Sequence, residues 1–184
     1  MFKNILKSLE NQKQWDSAIE FMQQILLENP NDLDAHLCMN YLLMNLLVEE
    51  SFDVNKQDYY TNLLKKYFDE SYEQFSNNPE YLYYTALTAF MSEWYFNISY
   101  EEAEKMKDKA INSDPKNIIY QWENYYTPYG KKAKDEIKAK LYAQAVLDPN
   151  SEIQKILKTK GSLGEYILDM MTNWANRITG ISKY

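Results

Sequence analysis

The chain is short of the residues that most often carry chemistry. Its 184 residues include one cysteine, one histidine, four glycines and five prolines. A lone Cys38 excludes an internal disulfide framework. A lone His36 beside it leaves a zinc site two ligands short unless carboxylates supply them. The glycines form no phosphate-cradling loop, and no nucleophile elbow or metalloprotease motif is present. So little Gly and Pro also disfavours a turn-rich β fold. Arginine is almost absent. The longest apolar run, Leu37 to Val48, is too short for a membrane span and holds two asparagines. The opening stretch MFKNILKSLENQKQW lacks the apolar core and cleavage site of a signal peptide. A cytoplasmic location is the expectation that these absences leave.

What is present is ordinary in amount and uneven in placement. Hydrophobic residues make up 45% and charged residues 26%, the balance of a soluble globular chain, and the length suits a single domain over residues 1–184. The net charge is −7, yet Asp16 to Glu104 holds 17 acids against Lys56, Lys65 and Lys66, a local −14. Ile111 to Tyr184 has 8 acids and 11 bases, a local +3. An acidic stretch of this kind either solvates the surface or attracts a basic partner and repels nucleic acid. The one basic run, Lys131, Lys132, Lys134, Lys138 and Lys140, is interrupted by Asp135 and Glu136 and has few aromatics beside it. It reads as a solvated helix face, and nucleic acid is not an expected partner.

Helical spacing dominates. Phe2, Ile5, Leu6 and Leu9 form one apolar stripe; Ala18, Ile19, Met22, Ile25 and Leu26 form a second. Asn29-Pro30 stops the second, because a residue before proline is pushed out of the helical region. Further helices are predicted from Asp32 to Glu49, Val54 to Phe75 and, behind an Asn78 cap with Pro79 as first residue, to about Phe96. Ser99 with Glu102 is a capping box that opens a helix to about Asn112. Asp114-Pro115 and Asp148-Pro149 are read as two more starts, the first helix reaching Tyr126, with a turn at Thr127–Gly130 and a basic helix from Lys131 to Leu147 between them. Gly161 to Gly164 breaks the chain before a last amphipathic helix from Leu163 to Ile178. No strand is predicted.

Two stretches repeat one plan. In WDSAIEFMQQILLENPND and YEEAEKMKDKAINSDPKN an alanine lies 12 residues before a proline: Ala18 to Pro30 and Ala103 to Pro115. Pro79 to Pro115 is 36 residues and Pro115 to Pro149 is 34. These stretches resemble the second helix of a tetratricopeptide repeat: small residue, aliphatic or Ala seven later, closing Pro. Here they are Ala18, Ile25 and Pro30, then Ala103, Ala110 and Pro115. The first-helix signature is replaced by His36, Met39, Asn40 and Leu43, and Pro30 to Pro79 is 49 residues, so one pair is expanded. The expected fold is all-α: an irregular stack of antiparallel helical hairpins, closed by the C-terminal helix.

The resemblance also implies a groove lined by first helices. Counting from each proline places Asp34, Tyr41, Asn45, Tyr83, Glu93, Trp122, Glu123 and Tyr126 there as partner-binding residues, an acidic and aromatic surface. It lacks the basic clamp that some family members use on a terminal carboxylate. Seventeen tyrosines and four tryptophans exceed what one buried face can hold, and exposed ones favour interfaces. His36 and Cys38, two apart on a helix, point about 200° apart and do not make a nucleophilic pair. Carboxylates cluster in first helical turns without calcium-loop spacing. No catalytic residue, metal or cofactor is expected. The leading expectation is a non-catalytic protein-binding module for a basic or mixed-charge protein, in its sharpest form an immunity-type neutraliser of a basic toxin domain in bacterial competition. The alternatives are a scaffold or assembly adaptor for an extended peptide and, last, an enzyme.

Overall fold

The computed structural model describes residues 2–125 and 135–176, without the side chains of Glu123 and Asn124. The described residues form ten α-helices and no strand, the all-α class that the spacing predicts. Where the sequence reads as one domain, the chain divides into two compact units, Met1–Asp114 and Pro115–Tyr184. The first holds α1 (Phe2–Asn11), α2 (Trp15–Glu28), α3 (Leu33–Glu49), α4 (Gln57–Phe75), α5 (Pro79–Ala89), α6 (Glu93–Phe96) and α7 (Tyr100–Ser113). The second holds α8 (Glu136–Val146), α9 (Glu152–Lys158) and α10 (Ser162–Ala175).

The repeated phrase is a repeated stop. α2 ends on Asn29 at φ −134°, ψ 70° and α7 on Asp114 at φ −140°, ψ 70°, both outside the helical region as a following proline demands. Each still donates its N–H four residues back, Asn29 to Ile25 at 2.9 Å and Asp114 to Ala110 at 3.1 Å. Two residues past the proline stands a side-chain acceptor for a backbone N–H: Asp32 for Ala35, Asn117 for Ile119 and, past Pro149, Ser151 for Gln154. The start of α9, Glu152 behind its Ser151 cap, therefore falls three residues later than the Asp148-Pro149 pair suggests. Pro79 differs: it is the first residue of α5, with Asn78 accepting from the N–H groups of Glu80 and Tyr81. After Pro115 the chain forms only a 3₁₀ turn, Tyr120–Asn124, in place of a predicted helix to Tyr126. The expected turn at Thr127–Gly130, the first turn of the basic helix, and Ile178 lie outside the described residues.

In the first unit, α1 packs on α2, α2 on α3, α3 on α4 and α5, and α5 on α7. α3 and α5 are apolar all round and are buried all round: 12 of 17 residues in α3 and nine of 11 in α5. Ala18, Ala103 and Ala110 are fully buried, as small residues at close helix contacts must be. One polar knot ties three helices together. Ser71 on α4 donates to the Phe68 carbonyl and accepts from Asn40 of α3 at 3.1 Å and from Tyr81 of α5 at 2.7 Å. The single helix predicted over 79–96 is broken after Ala89. Phe90 and Phe96, both buried, fall on different faces of a straight helix. The break brings Phe96 back onto Phe68 of α4, ring centres 5.4 Å apart, and Asn97 closes the turn at φ 57°.

In the second unit α10 packs on both α8 and α9. Trp122 is 1% exposed, with its ring 5.5 Å from Tyr142 of α8 and 6.0 Å from Trp174 of α10. The Tyr142 hydroxyl donates to the Ile118 carbonyl. Gly164, expected within a chain break, lies inside α10, where its missing side chain admits the Leu157 carbonyl of α9.

Candidate interaction surface

The eight groove residues taken from the first-helix register do not form one open face. Tyr41 and Tyr83 are 6% and 1% exposed, inside the core of the first unit, and Trp122 is core in the second. Asp34 is half-buried and held by Lys3 at 2.6 Å; Asn45 and Glu93 are also half-buried. The Glu123 side chain and Tyr126 lie outside the described residues. The aromatic surplus goes largely inward as well. Tyr60, Tyr67, Tyr81, Tyr83 and Tyr84 are buried, whereas Tyr59, Tyr72 and Trp94 face out.

The exposed large apolar side chains of the first unit are Ile5 on α1, Leu27 on α2, Val54 just before α4, Tyr59 and Tyr72 on α4 and Trp94 on α6, and hollows lie beside α2, α4 and α7. Two furrows run there. Between α4 and α7 a hollow of about 230 Å³ has Phe68, Leu82, Ile98 and Met106 in its walls and Tyr72, 40% exposed, at its edge. Two of its three charged residues are committed: Lys109 donates to the Ser76 carbonyl and Asn77 at 2.8 Å each, and the Glu102 carboxylate accepts from the Ser99 N–H at 2.7 Å in the capping box, beside Lys105. Between α2 and α4 lie two hollows, of about 290 and 320 Å³. The larger is lined by Leu26, Leu27, Pro30 and Tyr67, with Glu70 beside them, and Leu27 is 76% exposed. Sequence reasoning passed over Leu27 and Trp94. The available signal was an apolar residue off the helical stripe: Leu26 is in phase with Ala18, Ile19 and Met22, and Leu27 is not.

At the other hollow Asp16, in the first turn of α2, accepts from Lys56 and from the Tyr60 hydroxyl at 2.8 Å. The Lys56 hydrogen bond, with Tyr60 second, holds the Asp16 carboxyl below its usual range. Burial and then the Asp16 hydrogen bond push the Tyr60 hydroxyl above its own. A carboxyl depressed on folding adds stability above its unfolded pKa and loses it as pH falls through the folded value. Asp16→Asn is therefore expected to lower stability by under about 1 kcal/mol at pH 7, since the pair is about half exposed. The difference shrinks as pH drops below about 4; urea midpoints at pH 7 and pH 2.5 measure it.

The two residues with most chemical potential are both interior. His36, 5% exposed, donates from Nε2 to the Pro30 carbonyl at 2.8 Å and sets its ring edge-on to Phe75 at 5.4 Å. Cys38 is 6% exposed, and burial pushes its thiol up to about 12. A thiol so placed reacts poorly. Native protein at pH 8 should leave a chromogenic disulfide reagent unconsumed over minutes, and unfolded protein should consume one equivalent; prompt reaction of native protein would refute the assignment. Among the described residues no group of three His, Cys, Asp or Glu side chains is placed to hold a metal ion. None of the described helices is long and apolar enough to cross a membrane.

The geometry defines an all-α chain whose first unit offers apolar furrows on a strongly acidic body. No protein-family model matches the chain, and no curated protein or solved structure is similar to it at significance.

Proposed function

We propose that the chain is a non-catalytic protein-binding module that takes a basic or mixed-charge protein surface on its first unit. The observation that carries this is charge and apolarity sharing the same outward helices. Residues 1–114 hold 20 acids against nine lysines, a net −11. Several lysines are committed: Lys3 to Asp34, Lys13 to Glu50, Lys56 to Asp16. Exposed carboxylates such as Glu20, Asp69 and Glu73 stand on α2 and α4, the helices that carry Leu27 and Tyr72. Such a field speeds encounter with a cationic partner, and the apolar side chains supply the contact that survives salt. The burial of His36 and Cys38 supports the non-catalytic part. A tetratricopeptide-like descent fits the matching ends of α2 and α7 and the buried Ala18, Ala103 and Ala110. The sharpest version remains an immunity-type neutraliser of a basic toxin domain, acting in the cytoplasm.

The test is binding of the chain to small folded basic domains, toxin nucleases included, by calorimetry at about 50 and 300 mM salt. A saturable one-to-one complex that weakens steeply with salt is expected. No complex, or one indifferent to salt, would overturn the reading.

A further inference from the structure

We propose that the furrow between α2 and α4 is a docking site for a basic amphipathic helix of the partner protein. This rests on the protein-binding reading above and names its site and its ligand. α2 and α4 each pack against α3, and at one end they meet directly, the Tyr60 hydroxyl donating to Asp16 at 2.8 Å. One wall is the α2 stripe Asp16, Glu20, Gln23 and Leu27, spaced 4, 3 and 4 residues. The other is the α4 stripe Tyr60, Leu63, Tyr67, Glu70 and Gln74, spaced 3, 4, 3 and 4. Those spacings keep each stripe on one helix face, with the smaller hollow at the Asp16 and Tyr60 end and the larger at the Leu27 and Gln74 end. From Tyr60 to Gln74 the α4 stripe runs roughly 20 Å, about four helical turns.

The walls decide what kind of segment fits. Main-chain groups of α2 and α4 are bonded within their own helices, so the furrow has no edge for an extended peptide to pair with. An extended segment would bury N–H and C=O groups without partners; a helix brings its own bonded. The apolar contact is exposed Leu27 over a floor of largely buried Leu26 and Tyr67, which suits aliphatic side chains at i, i+3 or i+4 and i+7. The flanks set the sign. Glu70 lines that contact, with Lys66 at 3.9 Å and both half exposed, and exposed Glu20 lies two turns before Leu27 on the same face of α2. Asp16 is neutralised by Lys56 and adds little. An acidic helix would meet like charge on both sides, and a lysine- or arginine-flanked one meets opposite charge.

The probe is a labelled 18-residue helical peptide with leucine at i, i+3, i+4 and i+7 and lysine on its flanks, titrated by anisotropy. A second peptide carries glutamate in place of every lysine. Wild-type protein should bind the lysine peptide saturably and the glutamate peptide not at all. Leu27→Glu is the deciding variant: it adds a negative charge, so attraction by net charge alone would tighten binding. Docking in the furrow predicts a loss of at least about tenfold instead. Leu27 is 76% exposed, so the fold should survive, which far-UV circular dichroism checks. Ile5→Glu puts the same charge on exposed α1 and should change affinity by less than about twofold. If Leu27→Glu binds the lysine peptide as tightly as wild type, the furrow is refuted and the broader electrostatic reading stands. Equal binding of both peptides, or binding of neither, also refutes the furrow, and the folded-domain experiment then judges the broader reading by itself.

Discussion

Replacing Trp122 with alanine is expected to cost about 3–5 kcal/mol, the usual range for removing a buried large aromatic. Its ring is 1% exposed and lies between Tyr142 and Trp174, so the change empties the place where the 3₁₀ turn, α8 and α10 meet. The second unit spans residues 115–184, 70 residues, and a body that size has a total stability of roughly 4–10 kcal/mol. A loss of that order should unfold much of the unit at 37 °C. Hydrogen exchange in the full-length chain reads this directly: amides of α8 and α10 should lose most of their protection. Trp122→Phe keeps a ring against both neighbours and should recover part of the loss. The first-helix register makes the same tryptophan a partner-binding residue, and the two roles separate cleanly. A contact residue would change binding with protection intact; a change under about 1 kcal/mol would return Trp122 to the surface.

Why the register pointed inward is a matter of what one helix pattern can say. Counting from prolines fixes which helix a residue occupies and its phase, and both were legible for α2, α5 and α7. Their caps were written in the sequence as well: Asn78 before Pro79, and Ser99 with Glu102. The phase of a helix does not say which of its faces stays open. For α3 the answer was available in another form. LCMNYLLMNLLV is apolar on every side, and such a helix is interior, which takes Tyr41 out of any groove. Its asparagines are consistent with that: Asn40 reaches Ser71 within the polar knot, 31 residues away in sequence. That partner and the pairing of Asp16 with Lys56 and Tyr60, 40 and 44 residues away, depend on how α2, α3 and α4 meet, which no local pattern encodes. The break after Ala89 has the same origin, since the burial of Phe96 on Phe68 overrides a helical run that local propensity would have continued. Leu27 shows the opposite case, where the residue that breaks the stripe is the one left exposed.

Gly164→Ala sets two effects against each other, and their sizes decide the outcome. Alanine in a helix is favoured over glycine by up to about 1 kcal/mol, less near the N-terminus, where Gly164 is the third residue of α10. Against that, a Cβ on Gly164 would come 1.8 Å from the Leu157 oxygen and 2.8 Å from its carbonyl carbon. Both are main-chain atoms, so no side chain can swing away. The Leu157 carbonyl also accepts from the Lys160 N–H at 2.8 Å, closing the last turn of α9, and Leu157 itself is fully buried. Relief requires α9 and α10 to separate, which strips contact from Leu157 and loosens that turn. Forced overpacking of this kind typically costs about 1–3 kcal/mol and exceeds the helical gain. Gly164→Ala should therefore lower the urea midpoint of the second unit, and Gly164→Val should lower it further. Gly161→Ala, three residues earlier, tests a different physics: φ 64° with ψ −144° is a glycine conformation, and its cost of about 1–3 kcal/mol is backbone strain. If Gly164→Ala left the midpoint unchanged or raised it, helix propensity would have won, and the close approach of α9 to α10 would be wrong.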